Sequence, residues 1–183
     1  MSKTLFCIFF YGALFSQAQP LNNVQKIDQF LVQSKSVIQL QSLDFGGQFS
    51  IAQGRIALDS STKKVTGFDL VIDVNSLELT IPGMTKHAKS ADFFDVATYP
   101  TITFFSDSIV ENDGVLSACG VMTSKGVALK KNIPFELVSV ENTRLSVHAT
   151  FKILRSEFTI GEEDAVSDEV QIEAALFAKK NKE

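Results

Sequence analysis

The chain has 183 residues and a formal net charge of −4, with 17 basic against 21 acidic side chains. Its only basic runs, Lys130-Lys131 and Lys179-Lys180-Asn181-Lys182, are short, which argues against a nucleic-acid partner, because phosphate binding needs a concentrated cationic surface. The length suits one domain with a full core.

The chain opens with an export pattern. Met1-Ser2-Lys3 supplies one positive charge, Leu5 to Phe15 is apolar, and Ser16-Gln17-Ala18 ends in the small-x-small pattern that signal peptidase reads. An apolar run of eleven residues is too short to cross a hydrocarbon core, which needs roughly 20. Residues 1–18 are therefore expected to be a cleaved signal peptide, and residues 19–183 a single exported domain, periplasmic or secreted, without a stable membrane span. Cys7 falls in the leader, so Cys119 has no intramolecular disulfide partner.

Strand signals dominate the remainder. Ile38-Gln39-Leu40, Phe49-Ser50-Ile51 and Ile56-Ala57-Leu58 alternate apolar and small or polar residues. Phe68 to Val74 alternates with one exception at Val71, and Ile102-Thr103-Phe104, Phe151-Lys152-Ile153 and Val170 to Leu176 follow the same rule. Turn chemistry punctuates them at Asp44 to Gly47, Asp59 to Lys64, Glu111 to Gly114 and Glu141 to Thr143. This is the rhythm of an antiparallel meander closing into a sandwich or barrel. The one helical signal is local: Ser90 as N-cap and Asp92 in the first turn predict a short helix over about 91–98, stopped at Tyr99 by Pro100.

Chemistry-bearing patterns are sparse. The two histidines, His87 and His148, have no cluster of ligands at zinc spacing. The acidic stretch Glu162-Glu163-Asp164 with Asp168-Glu169 lacks the alternating ligands and central glycine of a calcium loop and reads as a solvated turn. Cys119, in Leu116-Ser117-Ala118-Cys119-Gly120, reads as a half-buried strand thiol, and no nucleophile elbow, phosphate loop or dinucleotide fingerprint is present. What remains is apolar material, including most of the 16 phenylalanines. An eight-stranded barrel can be filled by such side chains or can hold one ligand, and pattern alone does not choose.

Lys89-Ser90-Ala91-Asp92-Phe93-Phe94-Asp95 followed by Tyr99-Pro100-Thr101-Ile102-Thr103-Phe104 and Ser106, with His87 two residues upstream, resembles the signature segment of the YceI-like family. Ile72-Asp73-Val74 with Ser76-Leu77, Arg155 to Gly161 and Val166 to Glu173 resemble its other linked motifs, over about residues 26–178. The resemblance implies an all-β, lipocalin-like antiparallel barrel of about eight strands with one short helix. It also implies export, no catalytic activity, no cofactor other than a bound lipid, and an apolar cavity for a polyisoprenoid, quinone-type lipid or fatty-acid derivative. A homodimer stays open. The chain departs from the family pattern at Ala128-Leu129, at Thr159, and at Gln33-Ser34 and Lys35-Ser36. Loop and mouth residues are where a barrel chooses its ligand, so these departures bear on ligand identity.

Residues two apart on a strand point the same way. The expected cavity lining is accordingly Phe49 and Ile51; Phe68, Leu70, Ile72 and Val74; Ile102 and Phe104; Phe151 and Ile153; and Val170, Ile172 and Leu176. His87, Ser90 and Asp92 are candidates for polar contacts at the mouth, with a cap that merely closes one end of the barrel as the alternative. The rival to a lipid carrier is a filled barrel serving as a structural or protein-interaction module.

Overall fold

The structure, a computed structural model, describes residues 26–162 and 166–181. The signal peptide expected over 1–18 lies outside the described residues. Among the described residues nine strands run in chain order: β1 (Ile27–Val32), β2 (Val37–Gln41), β3 (Gly46–Asp59), β4 (Val65–Leu79), β5 (Thr101–Asn112), β6 (Val115–Ser124), β7 (Val127–Val140), β8 (Arg144–Leu154) and β9 (Glu169–Lys180). Each pairs antiparallel with its neighbours, and the sheet closes on itself because both β1 and β2 bridge β3 to β9.

Nine strands fill eight places in the wall because β1 and β2 are one strand broken in the middle. β1 pairs with Arg55–Asp59 and β2 with Gly46–Ser50, both in the same sense. Ser36 repairs the break: its hydroxyl, buried with the rest of the residue, accepts from the Phe177 N–H at 2.9 Å and donates to the Phe177 carbonyl at 3.2 Å. The Gln33 N–H also donates to that carbonyl, at 2.7 Å, so what the side chain alone supplies at the break is the acceptor for the Phe177 N–H.

Two irregularities decide which side chains face inward. Between the β3–β4 pairs Gln48↔Glu78 and Ser50↔Asp73, β4 carries extra residues, so its inward series moves from Phe68, Leu70, Ile72 and Val74 to Leu77. Ser76 bridges the gap, its hydroxyl accepting from the Ser50 N–H at 2.8 Å. In β3 the register slips between Ile51 and Gln53, and the buried series passes from Phe49 to Ile56 and Leu58. One extra residue reverses every face beyond it.

The helix lies earlier than the sequence suggests. α1 spans Met84–Ala88, after Pro82 and a left-handed Gly83. The stretch 91–98 is a succession of turns. Ser90 is not an N-cap, because its backbone carbonyl, not its hydroxyl, takes the N–H groups of Phe93 and Asp95, at 3.1 and 2.8 Å. Its Oγ is buried with no partner among the described residues. The proline stop is real: strand β5 begins directly after Pro100, whose carbonyl accepts from the Val74 N–H at 2.9 Å.

The end of the barrel formed by the β3–β4, β5–β6 and β7–β8 turns is packed solid with Phe30, Ile56, Leu58, Val65 and Leu145. The opposite end carries α1, the turns to Tyr99, and a 3₁₀ turn at Ser156–Phe158. Two aromatic rings fasten the 89–99 segment there. Phe93 lies so close to Gly161 that a Cβ on that glycine would meet the ring at 2.6 Å, and Tyr99 sits likewise over Gly126 at 3.0 Å. Both glycines have positive φ, which a side chain would strain further.

Candidate functional site

An apolar cavity of about 170 Å³ runs from the α1 end toward the middle of the barrel. Its floor is the edge-on pair Phe68 and Phe135, ring centroids 5.0 Å apart, beyond which the core is solid. Its walls come from alternate residues of β2 to β9 and its rim from Phe45, Met84, His87, Phe93 and Phe94. Among the described lining residues, His87, Ser124 and Arg155 carry the nitrogen- or oxygen-bearing side chains.

Phe49, Phe68, Leu70, Ile72, Ile102, Phe104, Phe151, Ile153, Val170, Ile172 and Leu176 all line this cavity. Ile51 does not, because it stands at the β3 register slip that turns the strand. Val74 does not either: it is 1 % exposed but packs where β4 leaves its ladder to pair with Pro100. At the mouth, His87 is exposed and meets the Phe93 ring edge-on at 4.8 Å. Asp92 is exposed and lines nothing, and Ser90 also lies outside the cavity.

Several lining residues had no readable signal. Leu77 and Leu79 appear only once the β4 irregularity is known. Ile133 and Phe135 flank Pro134, which masks their alternation, and Ala118 and Ala149 are too small to announce a wall. Phe158, Ile160 and Val166 come from the closing segment rather than from a strand.

That closing segment completes the wall at its weakest seam. β7 and β8 pair only from Glu136↔His148 onward, so residues 127–135 of β7 and 149–154 of β8 share no ladder. The Ser156–Phe158 turn packs against both strands at this seam, with Phe158 fully buried, Glu157 ion-paired to Lys131, and the Lys125 ammonium donating to the Thr159 carbonyl at 2.9 Å. Arg155, 3 % exposed, ties the segment to itself. Its guanidinium donates to the Ile160 carbonyl at 2.9 Å and to the Val166 carbonyl from Nη2 at 2.6 Å and from Nε at 3.2 Å.

Two carboxylates complete the stitching. Asp168 accepts from the Ser156 hydroxyl at 2.7 Å and its N–H at 2.8 Å, and these bonds, side chain first, hold its carboxyl below the usual range. Asp44 is held low by Ser167, through its side chain and through its N–H, which donates at 2.6 Å. A carboxyl whose folded pKa is depressed adds stability above its unfolded pKa, near 4, and loses it as pH falls through the folded value. Acidification below about pH 4 is thus expected to loosen residues 155–162 and 166–168, read as faster amide exchange there than in the paired parts of β8 and β9. Asp168→Asn should weaken that pH dependence, and an unchanged profile would count against the stitching.

Among the described residues there is no cluster of three or more potential metal ligands, and no helix is long and apolar enough to cross a membrane. His148 pairs with Glu173 at 3.0 Å on the outer face, and the Cys119 thiol donates to the Asn132 side-chain oxygen at 3.2 Å, both away from the cavity.

Comparison with known proteins agrees with this geometry. Protein YceI of Escherichia coli O157:H7 is 26% identical over 141 residues, covering 75% of this chain and 74% of that protein. The crystal structure of Burkholderia cenocepacia BcnA superposes with a TM-score of 0.66 at 24% identity, over 82% of this chain and 96% of that one. A polyisoprenoid binding domain from Saccharophagus degradans, implicated in plant cell wall breakdown, superposes with a TM-score of 0.63 at 15% identity, over 85% of this chain and all of that one. The family model for the YceI-like domain matches residues 26–178, from before the first strand into the last, and the chain belongs to that family.

Proposed function

We propose that the protein binds one long-chain amphiphile without transforming it, as a carrier, reservoir or sequestering protein acting after export, in the periplasm or outside the cell. The ligand class is a polyisoprenoid or quinone-type lipid, or a fatty-acid derivative. The observation that carries this reading is the cavity: a blind channel walled by apolar side chains, closed below by Phe68 and Phe135 and rimmed by α1. The polyisoprenoid binding domain that shares the fold supports the choice of ligand class.

The cavity volume is close to the ~150 Å³ of an apolar cavity that stays dry and takes up benzene. It admits the end of one tail. A tail of ten or more carbons therefore requires rim side chains such as Met84 to swing outward, and the flexible thioethers of Met84 and Met122 suit such adjustment. Burial contributes about 0.8 kcal/mol per methylene, so affinity across a homologous series should rise roughly threefold to fourfold per carbon. The rise should level off once the chain reaches the Phe68–Phe135 floor. Displacement of a fluorescent long-chain probe checks this, and a flat series would contradict tail burial. Organic extraction of natively purified protein followed by mass spectrometry should yield stoichiometric lipid. If no lipid is recovered and no long-chain probe binds, the proposal fails.

A further inference from the structure

Ser124 ends strand β6 under the cap, on the same face as Met122 and Ala118, which line the cavity deeper in. It lines the cavity itself, is 3 % exposed, and its hydroxyl has no hydrogen-bond partner among the described residues. An unpaired buried hydroxyl is costly, and apolar alternatives abound on neighbouring strands. Its position is firmly held: Ser124 pairs across the β6–β7 turn with Val127, Lys125 is tied to the Thr159 carbonyl, and Gly126 is clamped under Tyr99. The other polar lining groups differ in kind. Arg155 donates to the Ile160 and Val166 carbonyls, and His87 stands exposed at the rim. A buried water would need two or more polar partners, and besides Ser124 the described lining offers nitrogen- or oxygen-bearing side chains only at His87 and Arg155.

We infer that Ser124 is the anchor for the ligand's polar end, donating its hydroxyl proton to an uncharged carbonyl oxygen of an amide, ester, ketone or quinone. This rests on the tail-binding reading above and sharpens it in two ways. It orients the ligand, with the oxygen under the cap at Ser124 and the tail directed toward Phe68 and Phe135. It also selects the headgroup, since a single hydroxyl compensates the burial of a neutral carbonyl but not that of an ionised carboxylate or phosphate.

The test compares wild type with Ser124→Ala and Ser124→Thr. Three probes of equal chain length, a methyl ketone, an alkane and a carboxylate, displace a fluorescent apolar probe. One neutral hydrogen bond corresponds to roughly a fivefold to tenfold change in affinity. Ser124→Ala is expected to weaken the ketone by about that factor and leave the alkane unchanged, while Ser124→Thr, which keeps the hydroxyl, retains ketone binding. Removing an unpaired hydroxyl should leave the Tm of the alanine variant unchanged or higher. Equal weakening of ketone and alkane, no weakening of either, or a Tm several degrees lower would each overturn the assignment. So would Ser124 dependence confined to the carboxylate. If the alkane and ketone both bind wild type without dependence on Ser124, tail binding stands and the anchor falls. If neither binds wild type, the cavity reading falls and the anchor with it.

Discussion

Replacing Arg155 by alanine is expected to lower Tm by roughly 10 °C and to release the segment that closes the β7–β8 seam. The buried guanidinium donates to two backbone carbonyls, Ile160 and Val166, and without it those oxygens stay inside the fold with fewer donors. Hydrogen bonds to a charged group contribute about 1.5–3 kcal/mol each, and an orphaned buried acceptor adds its own penalty, so a total of about 3–5 kcal/mol is reasonable. In a domain of this size each kcal/mol shifts Tm by about 2–4 °C. The damage should be local first. Phe158 and Ile160, which line the cavity, follow Arg155 directly, so probe retention should fall at temperatures where β8 and β9 are still paired. Arg155→Lys should recover only part of the loss, because one ammonium cannot reproduce a planar fork serving two carbonyls. Thermal unfolding by circular dichroism reads the first effect and amide exchange over 155–162 the second. A variant melting within 2 °C of wild type would show that the buried cation is not what holds the seam shut.

Arg155 also marks the boundary of what the sequence could say. Period-two patterning is legible where a strand has one wet face and one dry face over several residues, and Phe68 to Val74 and Val170 to Leu176 meet that condition. Their inward residues follow from the alternation, and the barrel class follows from the repetition of such strands between turn signals. Faces become illegible where the backbone inserts a residue. Nothing in Ile51-Ala52-Gln53 or Val74-Asn75-Ser76-Leu77 announces a register slip, because the slip is set by how β3 and β4 meet across the sheet. The helix lies at Met84–Ala88 rather than over 91–98 for a related reason. Ser90 has the composition of an N-cap, but its carbonyl captures the N–H groups that a capping side chain would have taken. Arg155 and Ser124 are invisible to patterning altogether, since arginine and serine ordinarily read as surface. Ser124 is buried beneath a closing segment far from it in sequence, tied there through Lys125 and Thr159, and Arg155 is buried because that segment folds back to place the Ile160 and Val166 carbonyls on its guanidinium.

Replacing Ala149 by phenylalanine should abolish long-chain binding, at least tenfold in affinity, while Tm stays level or rises. Ala149 lies on β8 opposite Ala174, is 7 % exposed, and lines the cavity two residues from Phe151. A benzyl group pointing inward there would take up most of a void whose volume compares with one that holds a benzene molecule, leaving little of the channel for a tail. Filling an apolar void is a recognised route to higher stability, so a hollow barrel should tolerate the ring. A filled barrel should not. If the interior were a packed core of a structural or interaction module, the added ring would force neighbouring side chains off their rotamers at a cost of about 1–3 kcal/mol, lowering Tm by roughly 3–10 °C. The two readings thus give opposite signs in one measurement. The other half of the barrel supplies the internal control: adding bulk beside Phe30, Ile56 and Leu58, which are buried and do not line the cavity, should be destabilising under either reading. A stable Ala149→Phe that no longer takes up a long-chain probe would locate the ligand in the channel above Phe68 and Phe135. A stable variant that binds as wild type does would move the ligand elsewhere, and a destabilised one would make the barrel a solid scaffold.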